Sequence, residues 1–416
     1  MKRTALISAL LLVLMSACRE PIGNAHGGTT SSCDVQVVVE MPVFDTTATV
    51  TIQSAEAVFT DLNMRKTYTV ATDSVAMDGT DVVLRMTVPA GFYDITASVV
   101  VLADSTICNF RAYYRSVGVT RDRAISAEAM LVQSKSDFVL AEIFTPGTQT
   151  PEGKMYLGDR YFVVFNNSDD TLYADGLVLL ESKLKNSMNI TLRPDFRNES
   201  FAADAIYRIP GNGTDNPVAP GGSLLIVDNA LDHRKANPNS FDLSHADFEW
   251  YDQSTKPAIS DVDNPDVPNL DKIFCYTLTI WIPNSQGNTS FALGRIPDTL
   301  SADEYLSQYK FHYEYTNITS AGAFDMEADT YLFPNDWIID AVNLCPRTLY
   351  QWTVTAPSLD AGWTYVGETG TDKLRLGHSV RRKTFLEEGG RRVLQDTNNS
   401  TDDFLPAQVA DPFYFN

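Results

Sequence analysis

Val35-Gln36-Val37-Val38-Val39, Ala48-Thr49-Val50-Thr51-Ile52, Thr67-Tyr68-Thr69-Val70 and Val82-Val83-Leu84-Arg85-Met86-Thr87-Val88 are short β-branched runs with turn residues between them. They alternate in part between apolar and polar positions, the pattern of strands that bury one face. Their length and spacing suit a small β-sandwich over residues 34–132. The polar stretch Gln133-Ser134-Lys135-Ser136-Asp137 is a linker, and all five tryptophans lie beyond it, at 250, 281, 337, 352 and 363. The chain is read as all-β, with a second sandwich over residues 138–416.

The N-terminal residues carry a different signal. Lys2 and Arg3 precede the apolar run from Ala5 to Leu14, and Met15-Ser16-Ala17 places small residues directly before Cys18. This is the layout of a cleaved export signal at residues 1–17, and the run is too short to span a bilayer, which needs about 20 residues. The stretch resembles the lipobox of bacterial lipoproteins, which implies that Cys18 takes the lipid and becomes the mature N-terminus. Residues 18–33 are rich in Gly, Thr, Ser and Asn and read as a lipidated tether.

The formal charge is −21, or −23 once Lys2 and Arg3 are removed with the signal. Such an acidic chain repels phosphate backbones, which argues against a nucleic-acid partner. Four cysteines remain besides Cys18. In an oxidising compartment Cys33, Cys108, Cys275 and Cys345 allow three pairings, and the domain boundary favours Cys33 with Cys108 and Cys275 with Cys345. Buried free thiols are the alternative, and no CxxC or Cys/His spacing suggests zinc.

Further along, Val88-Pro89-Ala90-Gly91-Phe92-Tyr93 resembles the corner of carboxypeptidase-regulatory-like and related immunoglobulin-like sandwiches, where glycine permits a tight turn and tyrosine packs over it. In the second region, Phe138-Val139-Leu140-Ala141-Glu142-Ile143-Phe144, Tyr161-Phe162-Val163-Val164-Phe165-Asn166 and Pro220-Gly221-Gly222-Ser223-Leu224-Leu225-Ile226 resemble a divergent lamin-tail-like domain. So do Ser379-Val380-Arg381-Arg382 and the closing Asp396-Thr397-Asn398-Asn399-Ser400-Thr401-Asp402-Asp403-Phe404. That resemblance implies an immunoglobulin-like sandwich, here with a long, loop-rich insertion at about 228–375. Within the insertion, Ser301 and Glu304 form a capping-box pattern that starts a short helix. The arrangement as a whole resembles a family of Bacteroidetes lipoproteins of unknown function, which implies association with TonB-dependent uptake at the outer membrane.

Several stretches are candidates for chemistry. Asp261, Asp263 and Asp266, with Asp271 nearby, form an oxygen-rich loop of the kind that holds Ca²⁺, against the alternative of a solvated turn. His245, with Asp242 or Asp247 to orient it, could act as a base but has no accompanying nucleophile motif; a ligand contact lined by the neighbouring aromatics is the better functional reading, and core packing is the alternative. Gly-x-Ser-x-Gly, His-Glu-x-x-His and the P-loop are all absent from the sequence. Trp250, Trp281 and Trp363 are candidates for stacking on a ligand face, against the commoner alternative of core packing. Asp340 is expected as a buried carboxylate that satisfies backbone donors. Asp45-Thr46-Thr47, Asp73-Ser74-Val75, Asp104-Ser105-Thr106, Asp170-Thr171-Leu172 and Asp298-Thr299-Leu300 resemble Bacteroidetes O-glycosylation acceptors.

These features together point to a lipid-anchored binding or accessory protein that works with a TonB-dependent receptor on a small-molecule or glycan ligand. A metal-assisted hydrolase and a structural or adhesive lipoprotein are the alternatives. Metabolic labelling with a fatty acid is expected to mark the parent chain and leave Cys18→Ala unlabelled. An unlabelled parent contradicts the lipobox reading.

Overall fold

The computed structural model describes residues 31–42, 50–64, 66–72, 76–78, 81–103, 106–132, 137–256, 258–388 and 391–416. The signal peptide, Cys18 and most of the tether lie outside these residues, as do Thr46, Ser74 and Ser105 of three acceptor patterns. The chain divides into two compact units, Met1–Ala129 and Met130–Asn416.

In the first unit, Ser32–Glu40 pairs antiparallel with Asp81–Pro89 and parallel with Arg123–Glu128. A second sheet runs Thr67–Thr72, Val50–Asp61, Gly91–Ala103 and Thr106–Val119. Val35, Val37 and Val39 are buried, together with Ala55, Ala57 and Phe59 from Val50–Asp61. That period of two is what turns alternating strands into a sandwich with one core. At the corner, Tyr93 donates from its hydroxyl to the Pro89 carbonyl at 2.7 Å. A Cβ on Gly91 would lie 3.3 Å from the Tyr93 ring and from Asp61. Glycine leaves room under the ring, which a larger residue would have to displace by a few tenths of an ångström.

The second unit is built differently. Phe138–Phe144 and Tyr161–Asn166 are buried at every residue, with no alternation. Both faces of their sheet are covered, so both sets of side chains are largely apolar, with buried Glu142 and Asn166 as the polar exceptions. This sheet runs Phe248–Glu249, Ser223–Val227, Tyr161–Asn166, Phe138–Phe144, His378–Arg382 and Phe404–Val409. One face packs through Leu140, Phe162, Val164 and Ile226 against Leu179, Tyr207, Phe291 and Val342 of an opposing sheet. The other face lies under Leu243, Ala246 and Phe415. The tight turn before Ser223–Val227 needs Gly221 at φ +74°, where a Cβ would also meet the Arg391 Cγ at 2.5 Å.

The opposing sheet is eight-stranded and takes much of its material from the stretch expected as an insertion. Residues 228–270 are loop-rich, but Asp271–Cys275, Thr289–Arg295, Lys310–Thr319, Gly322–Pro334 and Ile338–Asn343 all join the sheet. The short helix is Ala302–Gln308, with the capping box between Ser301 and Glu304 formed in both directions. Its Tyr305 is buried on Phe333 and Tyr309.

The anticipated disulfides are not formed, and all four cysteines are free thiols. Cys33 stands opposite Val88 at the Tyr93 end of the first unit, whereas Cys108 stands opposite Val101 on the strand that carries Tyr93. Eight residues along that strand amount to about 26 Å. Cys275 and Cys345 are separated by the pairing order Asp271–Cys275, Ser200–Arg208, Leu177–Lys185, Thr289–Arg295, Ile338–Asn343. Four steps of roughly 4.8 Å far exceed the reach of a disulfide.

What fastens the second unit is buried charge. Arg382, 1% exposed at its side chain, lies 2.7 Å from Asp340, 3.2 Å from Asp396 and 3.7 Å from Asp403. Its Nε donates to the Leu140 carbonyl at 2.9 Å, and Asp340 accepts from the Leu140 N–H at 2.6 Å. Asp340 is thus the buried, hydrogen-bonded carboxylate that the sequence suggested. Next to it, Glu142 accepts from Tyr161, Ser379 and Arg381, each at 2.7 Å. Replacing Arg382 with Met leaves three carboxylates facing one another in the interior. The expected loss is about 3–5 kcal/mol in denaturant unfolding of the second unit; a loss near zero would show that the node is dispensable.

Candidate functional site

The oxygen-rich loop does not close around a cation. Asp261 accepts from the backbone N–H of Asp252 at 2.9 Å and from Asn229 at 3.0 Å. Asp263 accepts from Asn269 at 2.8 Å, and Asp271 faces Arg208 at 3.0 Å. Asp266 is exposed, and its backbone N–H donates to Asn264. Among the described residues, no three His, Cys, Asp or Glu side chains are grouped so as to hold a metal. The Ca²⁺ assignment to Asp261, Asp263, Asp266 and Asp271 does not hold: Asp261 and Asp263 accept hydrogen bonds from neighbouring loop groups, Asp271 pairs with Arg208, and Asp266 is exposed.

The histidine grouping also separates. His245 is exposed, while Asp242 accepts from Ser244 at 2.6 Å and pairs with Arg234 at 2.7 Å. Asp247 accepts from the Leu225 N–H at 2.7 Å. Neither carboxylate orients the imidazole as a base would require. Asp252 is buried and accepts from the Tyr207 hydroxyl at 2.7 Å and the Trp281 N–H at 2.6 Å.

Trp250 and Trp281, anticipated as ligand contacts, are core residues at 0% and 1% exposure. Trp281 is stacked between Phe162, at 6.1 Å, and Tyr207, at 4.7 Å, and its indole N–H donates to buried Glu181 at 2.7 Å. They fill the gap between the sheets, which a loop without alternation did not announce. Burial raises the Glu181 carboxyl to about 6, against the bonds from Trp281, Asn284 and Thr289.

Trp363 is different: it is half-buried at the surface of the second unit and stacked on Tyr350 at 4.6 Å with ring planes 8° apart. Tyr365 lies 5.9 Å from the indole, and the Arg347 guanidinium sits 5.9 Å over the Tyr365 ring. Arg347 in turn pairs with exposed Glu368 at 3.1 Å. The result is an aromatic patch rimmed by opposite charges.

Its support comes from the closing motif. Asp360, fully buried, accepts from the backbone N–H groups of Asn343, Gly362 and Ser400 and from the Ser400 hydroxyl, at 2.5 to 3.0 Å. Asn343 donates to the Gly362 carbonyl at 3.1 Å, and Thr401 bonds both the N–H and the carbonyl of Trp363. A Cβ at Gly362 would lie 1.8 Å from the Asn399 side chain. The backbone under Trp363 is therefore clamped against residues 399–401. The spacing of Trp363 and Tyr365 on one face hints at the patch, but nothing in sequence links them to Arg347 and Tyr350.

Residues 219–411 match the model of a family described as "Protein of unknown function (DUF4876)". That stretch resembles DUF4876. A crystal structure of a DUF4876 family protein from Bacteroides thetaiotaomicron VPI-5482 aligns over 91% of this chain and 96% of that one, at 21% identity and a TM-score of 0.55. The shared fold therefore reaches beyond the matched stretch. A "Putative cell adhesion protein" from Parabacteroides distasonis ATCC 8503 aligns over 73% of this chain and 83% of that one, at 8% identity and a TM-score of 0.18. No curated protein matches.

The DUF4876 match contains the patch, the clamp and Arg382, whereas Glu142 and Arg160 lie before it. Arg160, 3% exposed at its side chain, meets Asp228 at 3.2 Å. Burial pushes the Asp228 carboxyl up to about 7, opposed by Arg160 and reinforced by Asp261, Asp159 and Asp252. Asp396 is also raised to about 7, by burial first, against Arg382.

Two predictions come from this geometry. A chelator and added calcium should both leave the melting temperature unchanged, and a calcium-dependent rise would restore the metal reading. For pH the sign is fixed by Asp228 and Asp396, whose folded values lie above the ordinary 3.8. Folding holds their protons, so this stability is complete below about pH 4 and lost as pH rises through about 7. Melting should therefore be higher at about pH 5 than at about pH 8, and a profile rising across that interval would contradict the shifts.

Proposed function

We propose that the protein is an exported, lipid-anchored binding protein of the outer membrane that offers the Tyr350–Trp363–Tyr365 patch to a flat-faced ligand such as a glycan, in the service of a TonB-dependent receptor. The observation that carries the reading is the parallel stack of Trp363 on Tyr350 at 4.6 Å, at a surface where Trp363 is only half-buried. A clamped aromatic loses little freedom when a ligand stacks on it, and its face is polarised to receive the C–H edge of a sugar ring. Arg347, over the Tyr365 ring, and its partner Glu368 supply hydrogen-bonding groups at the rim of the patch.

The anchor rests on Met15-Ser16-Ala17-Cys18 and the polar tether after it, which would hold the acidic body clear of lipid headgroups. The receptor association rests on the family resemblance. Screening the full chain against a glycan array is expected to give ligands whose binding falls roughly fivefold or more in Trp363→Ala while the melting temperature stays within a few degrees, since one stacking contact contributes about 1–3 kcal/mol. A ligand bound equally by the parent and Trp363→Ala would remove the patch from the account.

A further inference from the structure

Lys310–Thr319 and Gly322–Pro334 form a hairpin joined by Ser320-Ala321. Ser200–Arg208 pairs with residues 331–334 of the second strand, then takes Asp271–Cys275 as its neighbour on that side. The hairpin therefore leaves the sheet. Ile190–Arg193 covers its first strand, while residues 322–329 have no strand partner on their outer edge among the described residues. Residues 322–327 are exposed throughout.

The Leu332 N–H donates inward to Tyr309, and the ladder from 322 to 331 runs without a register shift. Even-numbered residues thus bond inward, and Ala323, Asp325, Glu327 and Asp329 turn their N–H and C=O groups outward. The side chains of those outward residues form a row of three carboxylates on one face. Phe324 and Met326, 50% and 46% exposed, stand on the other. The groups that answer the carboxylates lie further in: Arg193 is 3.1 Å from Asp325, Lys310 is 3.1 Å from Asp329, and His312, a cation only when protonated, is 2.9 Å from Asp329 but 3.7 Å from Glu327.

We propose that residues 322–329 are a docking edge for an extended segment of a partner polypeptide that alternates basic and apolar residues and adds itself as a further strand. Backbone pairing would supply affinity, and the two faces would supply specificity. Lysine or arginine side chains would face Asp325, Glu327 and Asp329, with apolar ones against Phe324 and Met326. A second copy of this chain is disfavoured, because self-pairing sets carboxylate opposite carboxylate. The edge is a separate surface from the Trp363 patch and stands whether or not a glycan binds there.

The test titrates the full chain in detergent with a fluorescent peptide of alternating lysine and valine, read by anisotropy, and follows amide exchange by mass spectrometry. Saturable binding is expected, with slowed exchange confined to residues 323–329. Glu327→Lys should weaken binding roughly tenfold. Glu327→Pro should do the same by removing one outward N–H while sparing the inward ladder. Equal binding of the peptide with glutamate in place of lysine would overturn the proposal. So would protection at any other segment, or parent-like affinity in both variants. The exchange map of the parent needs no variant, so a misfolded substitution leaves the test intact.

Discussion

One guanidinium governs the second unit. Arg382 sits within 3.7 Å of Asp340, Asp396 and Asp403 and lies 4.6 Å under the Phe404 ring. Taking these charges out of water is costly, and the arrangement persists because the remaining valences are also met. Asp403 accepts from the N–H and hydroxyl of Thr397, and Asp340 from the N–H of Leu140. Three distant pieces of chain are thereby held at one point: Phe138–Phe144, Ile338–Asn343 and the closing segment.

The surface follows from that fastening. With Asn399 and Ser400 fixed, Asp360 can accept four hydrogen bonds without exposing an oxygen, and Gly362 is drawn against Asn399. Trp363 then emerges with its backbone tied to Thr401 and its ring against Tyr350. The two deeper tryptophans serve a different end. Stacked among Phe162, Tyr207 and Phe291, they let two sheets that are covered on their outer faces also share a dense interior.

Much of this was legible in the chain. The alternation in Val35–Val39 identified a half-buried strand, and Ser301 with Glu304 marked a helix start, because both signals are local. Asp340 was legible as well, since an acidic residue between Ile339 and Ala341 on a strand must find donors. The sites were harder. Asp261, Asp263 and Asp266 have the composition of a cation loop, yet the same residues serve turns equally well, and only coordinates distinguish the two. Trp250 and Trp281 lie in a stretch without period, so their hydrophobicity did not say whether they faced solvent or slid between sheets. The cysteine pairing failed because a domain boundary constrains neither sheet order nor distance along a strand. Tyr350 and Trp363 lie on two segments that a bridge between Leu344 and Thr364 helps bring side by side, a long-range fact that no motif records.

Amide hydrogen exchange of the intact protein tests most directly whether the closing segment is part of the core. The N–H groups of Leu140, Asn343, Gly362 and Ser400 all donate to Asp340 or Asp360. The account expects them to exchange together and only with global opening of the second unit, as slowly as the strand amides of Tyr161–Asn166. Exchange of Gly362 and Ser400 at the rate of an exposed loop, while the strands stay protected, would contradict it.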